Sequence, residues 1–140
     1  MAHHALRRAS LVFFFVYVAL LIVAGAWGIV GARLDMSVLL RLHIHDLPDR
    51  TAANLLSQYR FLRAIELGFG VFAFTHWRRI YTLRSYNRLF LSVMAAGVAA
   101  RLLSLGLDGG PSWWMYLFLG WELVGVALIF LATRSGLAGA

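Results

Sequence analysis

The chain has 140 residues, no cysteine and no lysine; all 13 basic residues are arginine, set against 6 acidic ones for a formal charge of +7. An apolar fraction of 61%, a charged fraction of 14% and a mean hydropathy of +0.77 depart from the soluble norm of roughly 45–50% apolar and about 25% charged, in the membrane direction. These figures leave room for a single domain and exclude a disulfide framework, a thiolate metal site, a thiol nucleophile and a Schiff-base lysine.

The N-terminal residues include His3, His4, Arg7 and Arg8. From Ala9 to Ala32 there follow 24 positions without a charge, enough for about 30 Å of hydrocarbon at ~1.5 Å per residue. A basic start before an apolar run also describes a signal peptide, but this run exceeds the roughly 7–15 residues of a signal-peptide core. It is expected to be a retained span, helix 9–32. Gly25, Gly28 and Gly31 recur every three residues near its far end. They either allow close helix contact or are ordinary membrane-helix glycines.

Residues 33–50 form the longest polar connection. Leu40, Leu42 and Ile44 alternate with Arg41, His43 and His45, the period of a half-buried strand. A short interfacial helix after Asp35 fits nearly as well, with Met36, Leu39, Leu40 and His43 on one face. Pro48-Asp49-Arg50-Thr51 reads as a helix start. A second span is expected over 51–77, interrupted by Arg60, Arg63 and Glu66. An arginine-rich loop with Arg78, Arg79, Arg84 and Arg88 follows, anchored by Tyr81 and Tyr86. A third span, 87–107, contains Arg101. Asp108-Gly109-Gly110-Pro111-Ser112 is a tight turn. Trp113, Trp114 and Tyr116 open a fourth span, 113–133, which contains Glu122. The tail, 135–140, is expected to fray.

Arginine counts set the orientation. Seven arginines fall on the side of the termini and the 78–88 loop, against three (Arg33, Arg41 and Arg50) on the other. The positive-inside rule then places both termini in the cytoplasm. The expected fold is an all-α, integral membrane, up-down four-helix bundle.

A charge at the bilayer centre costs on the order of 3 kcal/mol, so charged residues inside spans need partners. At ~1.5 Å per residue, Arg63, Glu66, Arg101 and Glu122 lie about 13, 18, 10 and 15 Å below the outer surface. Two arginines and two glutamates at similar depth make a neutral set. It reads as a structural network fixing helix packing. The second reading is a site in which an arginine binds an anionic or carbonyl group and Glu66 or Glu122 handles a proton. Weaker signals surround it. His43 and His45 lack a third ligand in sequence for a metal, His76 suits the membrane interface, and Ser104 lies one turn after Arg101. No paired histidines lie deep enough in helices for haem.

The pattern Arg101-Leu-Leu-Ser104, Asp108-Gly-Gly-Pro111 and Glu122 in the last span, with Arg63 in the second, resembles small bacterial four-helix inner-membrane families of unknown function, which sit loosely alongside the DoxX-like proteins. The resemblance covers about residues 56–132. It implies a compact multi-pass protein of the bacterial inner membrane with Arg63, Arg101, Ser104, Asp108 and Glu122 as matching positions. Residues 33–50 lie outside it.

Three functions are compatible with these features. The favoured expectation is a non-enzymatic accessory or scaffold subunit of a larger membrane complex, in contact with the bilayer and with membrane-protein partners or copies of itself. The alternative is an enzyme or binding protein for a lipid, isoprenoid or quinone-like molecule, with Arg60, Arg63, Glu66, Arg101, Ser104, Asp108 and Glu122 around the ligand and Glu66 and Glu122 as acid–base groups. Proton or ion translocation is the third, and it lacks an ionisable path below Glu66. No cofactor and no nucleic acid are expected, with room for a bound lipid, quinone or pigment.

Overall fold

The computed structural model describes residues 2–134 and 137; apart from Leu137, the expected fraying of the tail falls outside the described residues. Five α-helices and a single 3₁₀ turn follow in order: α1 (Ala2–Val30), α2 (Ala32–Val38), the turn Ile44–Asp46, α3 (Asp49–Thr82), α4 (Arg84–Leu107) and α5 (Trp113–Thr133). Among the described residues the chain is all-helical as expected, with five helices in place of four. The additional one is α2, in the segment expected to be a strand or a helix starting after Asp35. The strand fails because the backbone reverses at Arg41, in a left-handed conformation (φ 54°) that few non-glycine residues adopt. The Leu42 N–H thereby returns to the Met36 carbonyl at 2.9 Å.

Among the described residues, three helices are long and apolar enough to cross a membrane: His4–Val30, α4 and α5. α3 is not among them. It also runs past the expected end at 77 as far as Thr82, with non-helical angles at His76 (φ −107°, ψ 16°). The expected arginine-rich loop is therefore mostly helix. Arginine is a good helix former, and a single extended residue, Leu83 (φ −108°, ψ 129°), separates α3 from α4.

The chain divides into two compact units, residues 1–17 with 73–140 and residues 18–72. In the first, Phe14 is fully buried with its ring 5.5 Å from Tyr81 and 5.3 Å from Phe90. Gly125 faces Phe13 and Met94, and Phe13 stacks at 4.6 Å on Trp121. Three polar ties close the unit. The Tyr81 hydroxyl donates to the Ser10 carbonyl at 3.0 Å and lies 2.7 Å from the Ser10 hydroxyl. Asn87 Nδ2 donates to the Ile80 carbonyl at 3.0 Å and to Thr133 Oγ1 at 3.1 Å. Burial pushes the Tyr81 hydroxyl up to about 12, against the downward pull of the Ser10 hydrogen bond and of Arg7. It stays protonated and keeps donating. Only 17% of the α4 and α5 spans is buried, so apolar side chains cover most of their outer surface.

The second unit packs α2 and the 3₁₀ turn on the start of α3. Ala32, Met36, Ile44 and Leu56 form its buried cluster, flanked by Leu42, Leu47, Leu55 and Tyr59. The later part of α1 lies directly on α3, and the glycine spacing explains how. A Cβ on Gly25 would stand 2.7 Å from the Leu67 nitrogen and 2.9 Å from the Arg63 carbonyl, closer than real side chains pack. Backbone cannot yield as a side chain can, so Gly25→Leu is expected to cost about 1–3 kcal/mol through overpacking. Gly68→Leu serves as control, because nothing lies within 4 Å of a Cβ there. Thermal unfolding in detergent should show a lower midpoint for the first and no loss for the second. Equal midpoints would mean that α1 and α3 do not need this approach.

Candidate functional site

Arg63 is the centre of the second unit's polar cluster. It sits on α3 one turn after Tyr59 and one turn before Glu66, so all three share a helix face. Its Nη1 donates to Glu66 Oε2. Its Nε and Nη2 both donate to the Tyr59 hydroxyl, at 2.8 and 2.6 Å. That hydroxyl in turn donates to Asp35 Oδ2 at 2.8 Å. The Trp27 indole N–H donates to the other carboxylate oxygen at 3.1 Å, and Asp35 Oδ2 stands 3.8 Å from Arg63 Nη2. The cluster therefore holds two carboxylates against one guanidinium.

Two glycines make room for it. At Gly28 a Cβ would meet Arg63 Cγ, Cδ and Nε at 2.5–2.7 Å, and at Gly31 it would meet the Trp27 ring at 2.7–3.0 Å. Of the three spaced glycines, Gly25 admits the α3 backbone, Gly28 the arginine stem and Gly31 the indole.

Arg60 stands apart from this network. It is exposed, and its Nε donates to the Ile29 carbonyl at 3.1 Å. It thereby satisfies one of the carbonyls left open at the end of α1.

The first unit carries a separate pair. Arg101 on α4 grips Glu122 on α5 through two nitrogens, Nε to Oε2 at 2.9 Å and Nη2 to Oε1 at 3.2 Å. This is the bidentate fork that strengthens such pairs. Its Nη1 reaches Met115 Sδ at 3.5 Å. Each guanidinium of the expected four-member set thus finds its carboxylate inside its own unit, with Asp35 joining Arg63. Ser104 and Asp108 bond each other at 2.8 Å, exposed at the end of α4. They cap the helix beside Gly109, whose φ of 88° suits glycine.

His43, just before the 3₁₀ turn, and His45, within it, are exposed. Among the described residues, no group of three or more histidine, aspartate or glutamate side chains could hold a metal. A shallow pocket of about 340 Å³ lies in the second unit, lined by residues that include Arg33, His45, Asp49 and Leu56; none of its lining residues belongs to either cluster.

Asp35, Tyr59 and Trp27 were not legible as site residues from charge alone. Helical period contained a signal for them: Tyr59 precedes Arg63 by four, and Trp27, Gly31 and Asp35 are spaced by four. The expected helix end at residue 32 hid the second series.

Such an assembly, three apolar helices of spanning length with each clustered arginine held by carboxylates, defines a small all-helical protein of membrane type. The family model for the domain of unknown function DUF4345 matches residues 9–133, and the chain belongs to that family. No curated protein and no solved structure matches it.

Because one hydroxyl joins Arg63 to Asp35, the two are expected to be energetically coupled. Tyr59→Phe should destabilise by about 2 kcal/mol, the scale of hydrogen bonds to charged groups. In a double-mutant cycle with Asp35→Ala, a coupling of at least about 0.5 kcal/mol should appear. Additive losses on unfolding would break the network into independent contacts.

Proposed function

We propose that the chain is a multi-pass protein of the bacterial inner membrane, loosely allied to the DoxX-like proteins, that serves as an accessory or scaffold subunit of a larger membrane complex. In this reading α1, α3, α4 and α5 cross the bilayer in up-down order with both termini cytoplasmic, and α2 with the 3₁₀ turn lies at the outer surface. The observation that carries it is the saturation of Arg63. Every nitrogen of Arg63 that carries a proton donates to Tyr59 or Glu66. Among the described residues, no buried side-chain nitrogen or oxygen lacks a hydrogen-bond partner. A catalytic site would hold groups in reserve for a substrate; these are spent on one another. The weak burial of α4 and α5 supports a role in which their outer faces meet lipid and other membrane proteins, or further copies of the chain.

A second reading has one observation in its favour. The Arg101 side chain is 35% exposed, and its remaining nitrogen has only a thioether for company. A carbonyl or phosphate of a lipid, isoprenoid or quinone-like molecule could be bound there, with Glu122 beside it.

Gentle-detergent purification of the full-length protein, followed by native electrophoresis and mass spectrometry, separates the two. The accessory role predicts a stoichiometric complex that persists in Glu122→Gln. Recovery of the chain alone with a tightly held lipid or quinone, lost in Glu122→Gln, would replace the first reading with the second.

A further inference from the structure

We propose that the arginine-rich end of the first unit is a binding collar for the phosphate headgroups of anionic phospholipids. Buried hydrogen bonds gather four helix ends there. Ser10–Tyr81 ties α1, about two turns from its start, to the end of α3, and Asn87 ties the first turn of α4 to Ile80 of α3 and to Thr133 at the end of α5. Around these anchors stand Arg7 and Arg8, two or three residues before Ser10; Arg78 and Arg79, just before Tyr81; Arg84 and Arg88, flanking Asn87; and Arg134, after Thr133. All seven are exposed.

Among the described residues of the first unit, no carboxylate lies close by to neutralise them. The first unit's acids among the described residues are Asp108 and Glu122. Asp108 closes the opposite end of α4, about 30 Å from Arg88 at ~1.5 Å per residue, and Glu122 is held by Arg101. None of the seven arginines forms an ion pair among the described residues. Aromatic rings prop two of them: Arg78 lies 5.3 Å from the Trp77 ring centroid, and Arg79 lies 5.4 Å from that of Tyr86 and donates to its hydroxyl at 2.9 Å.

Such a surface attracts phosphate, which guanidinium groups bind through paired N–H donors. The neighbouring residues select the kind of phosphate. Within two turns of them along their helices stand exposed Val12, Phe15, Leu89 and Phe130, so cationic heads border an apolar band. That succession matches a phospholipid, whose charged head adjoins its acyl chains. A nucleic acid would instead meet an apolar surface where its next phosphates should lie.

The collar rests on the chain spanning a membrane and is independent of the accessory role. Its test is lipid retention by the full-length protein in nanodiscs of equimolar phosphatidylglycerol and phosphatidylcholine, counted by native mass spectrometry after release. The wild type should retain phosphatidylglycerol over phosphatidylcholine by about threefold or more, less so at raised salt. Replacing Arg78, Arg79, Arg84 and Arg88 together by Gln should bring the ratio near parity, whereas replacing them by Lys should keep most of it. Arg33→Gln, Arg41→Gln and Arg50→Gln, in the second unit, should leave the ratio unchanged. If the Gln set does not fold, the salt dependence of the wild type and the retention by the Lys set still decide.

Parity in the wild type, an undiminished preference in the folded Gln set, or an equal loss in the second-unit set would overturn the collar. Lipid parity with capture of a single-stranded RNA oligomer would also overturn it. Failure of the wild type to insert into nanodiscs of either lipid alone would overturn the membrane reading as well.

Discussion

A guanidinium halfway along a helix must be given acceptors, and much of the second unit follows from meeting that demand for Arg63. Its stem needs space, which Gly28 leaves by lacking a Cβ. Its head needs oxygens, and α3 itself supplies Tyr59 and Glu66 at helical spacing. The remaining carboxylate, Asp35, comes from α2, and it meets Tyr59 and Arg63 because the chain turns back after α2, at Arg41. The small buried cluster of Ala32, Met36, Ile44 and Leu56 then holds α2 in place. Removing a single partner from such a set leaves charge without compensation, which is costlier than never having introduced it.

The first unit solves helix pairing by other means. Its interior is aromatic, with Phe13, Phe14, Tyr81 and Phe90 filling it, and its polar ties are neutral: a serine with a tyrosine, an asparagine with a threonine. Neutral hydrogen bonds between helices are modest in strength, but they carry no desolvation penalty for charge. Among the described residues its one ionic contact, Arg101 with Glu122, joins α4 to α5 nearer their other ends.

Long apolar runs were legible in the sequence because hydropathy and helix agree there. α5 spans Trp113–Thr133, the residues expected, and α4 begins only three residues before its expected start. Arginines are a poor sign of a loop here: Arg78 and Arg79 extend α3, and Arg84 opens α4. Charge likewise obscured α2, since Arg33 and Asp35 looked like the edge of a polar connection although their helix continues the face begun by Trp27. Arg63 and Glu66 were recognised as partners because both lie on one helix. Asp35 could not be assigned to them without knowing how α2 packs on α3, a tertiary fact with no local signature.

Leu83 is shared by two helices: its N–H reaches the Arg79 carbonyl at 2.7 Å and its carbonyl accepts from Asn87 N–H at 3.0 Å. The joint between α3 and α4 therefore has no slack, and a foreign segment grafted there would tear both helix ends at once. Between α4 and α5 the situation is reversed, since Gly109 and Pro111 are exposed and a Cβ at Gly109 would meet nothing within 4 Å. That turn is where the polypeptide can be nicked or lengthened, and the clasp of Arg101 on Glu122 remains to bring the separated pieces back together.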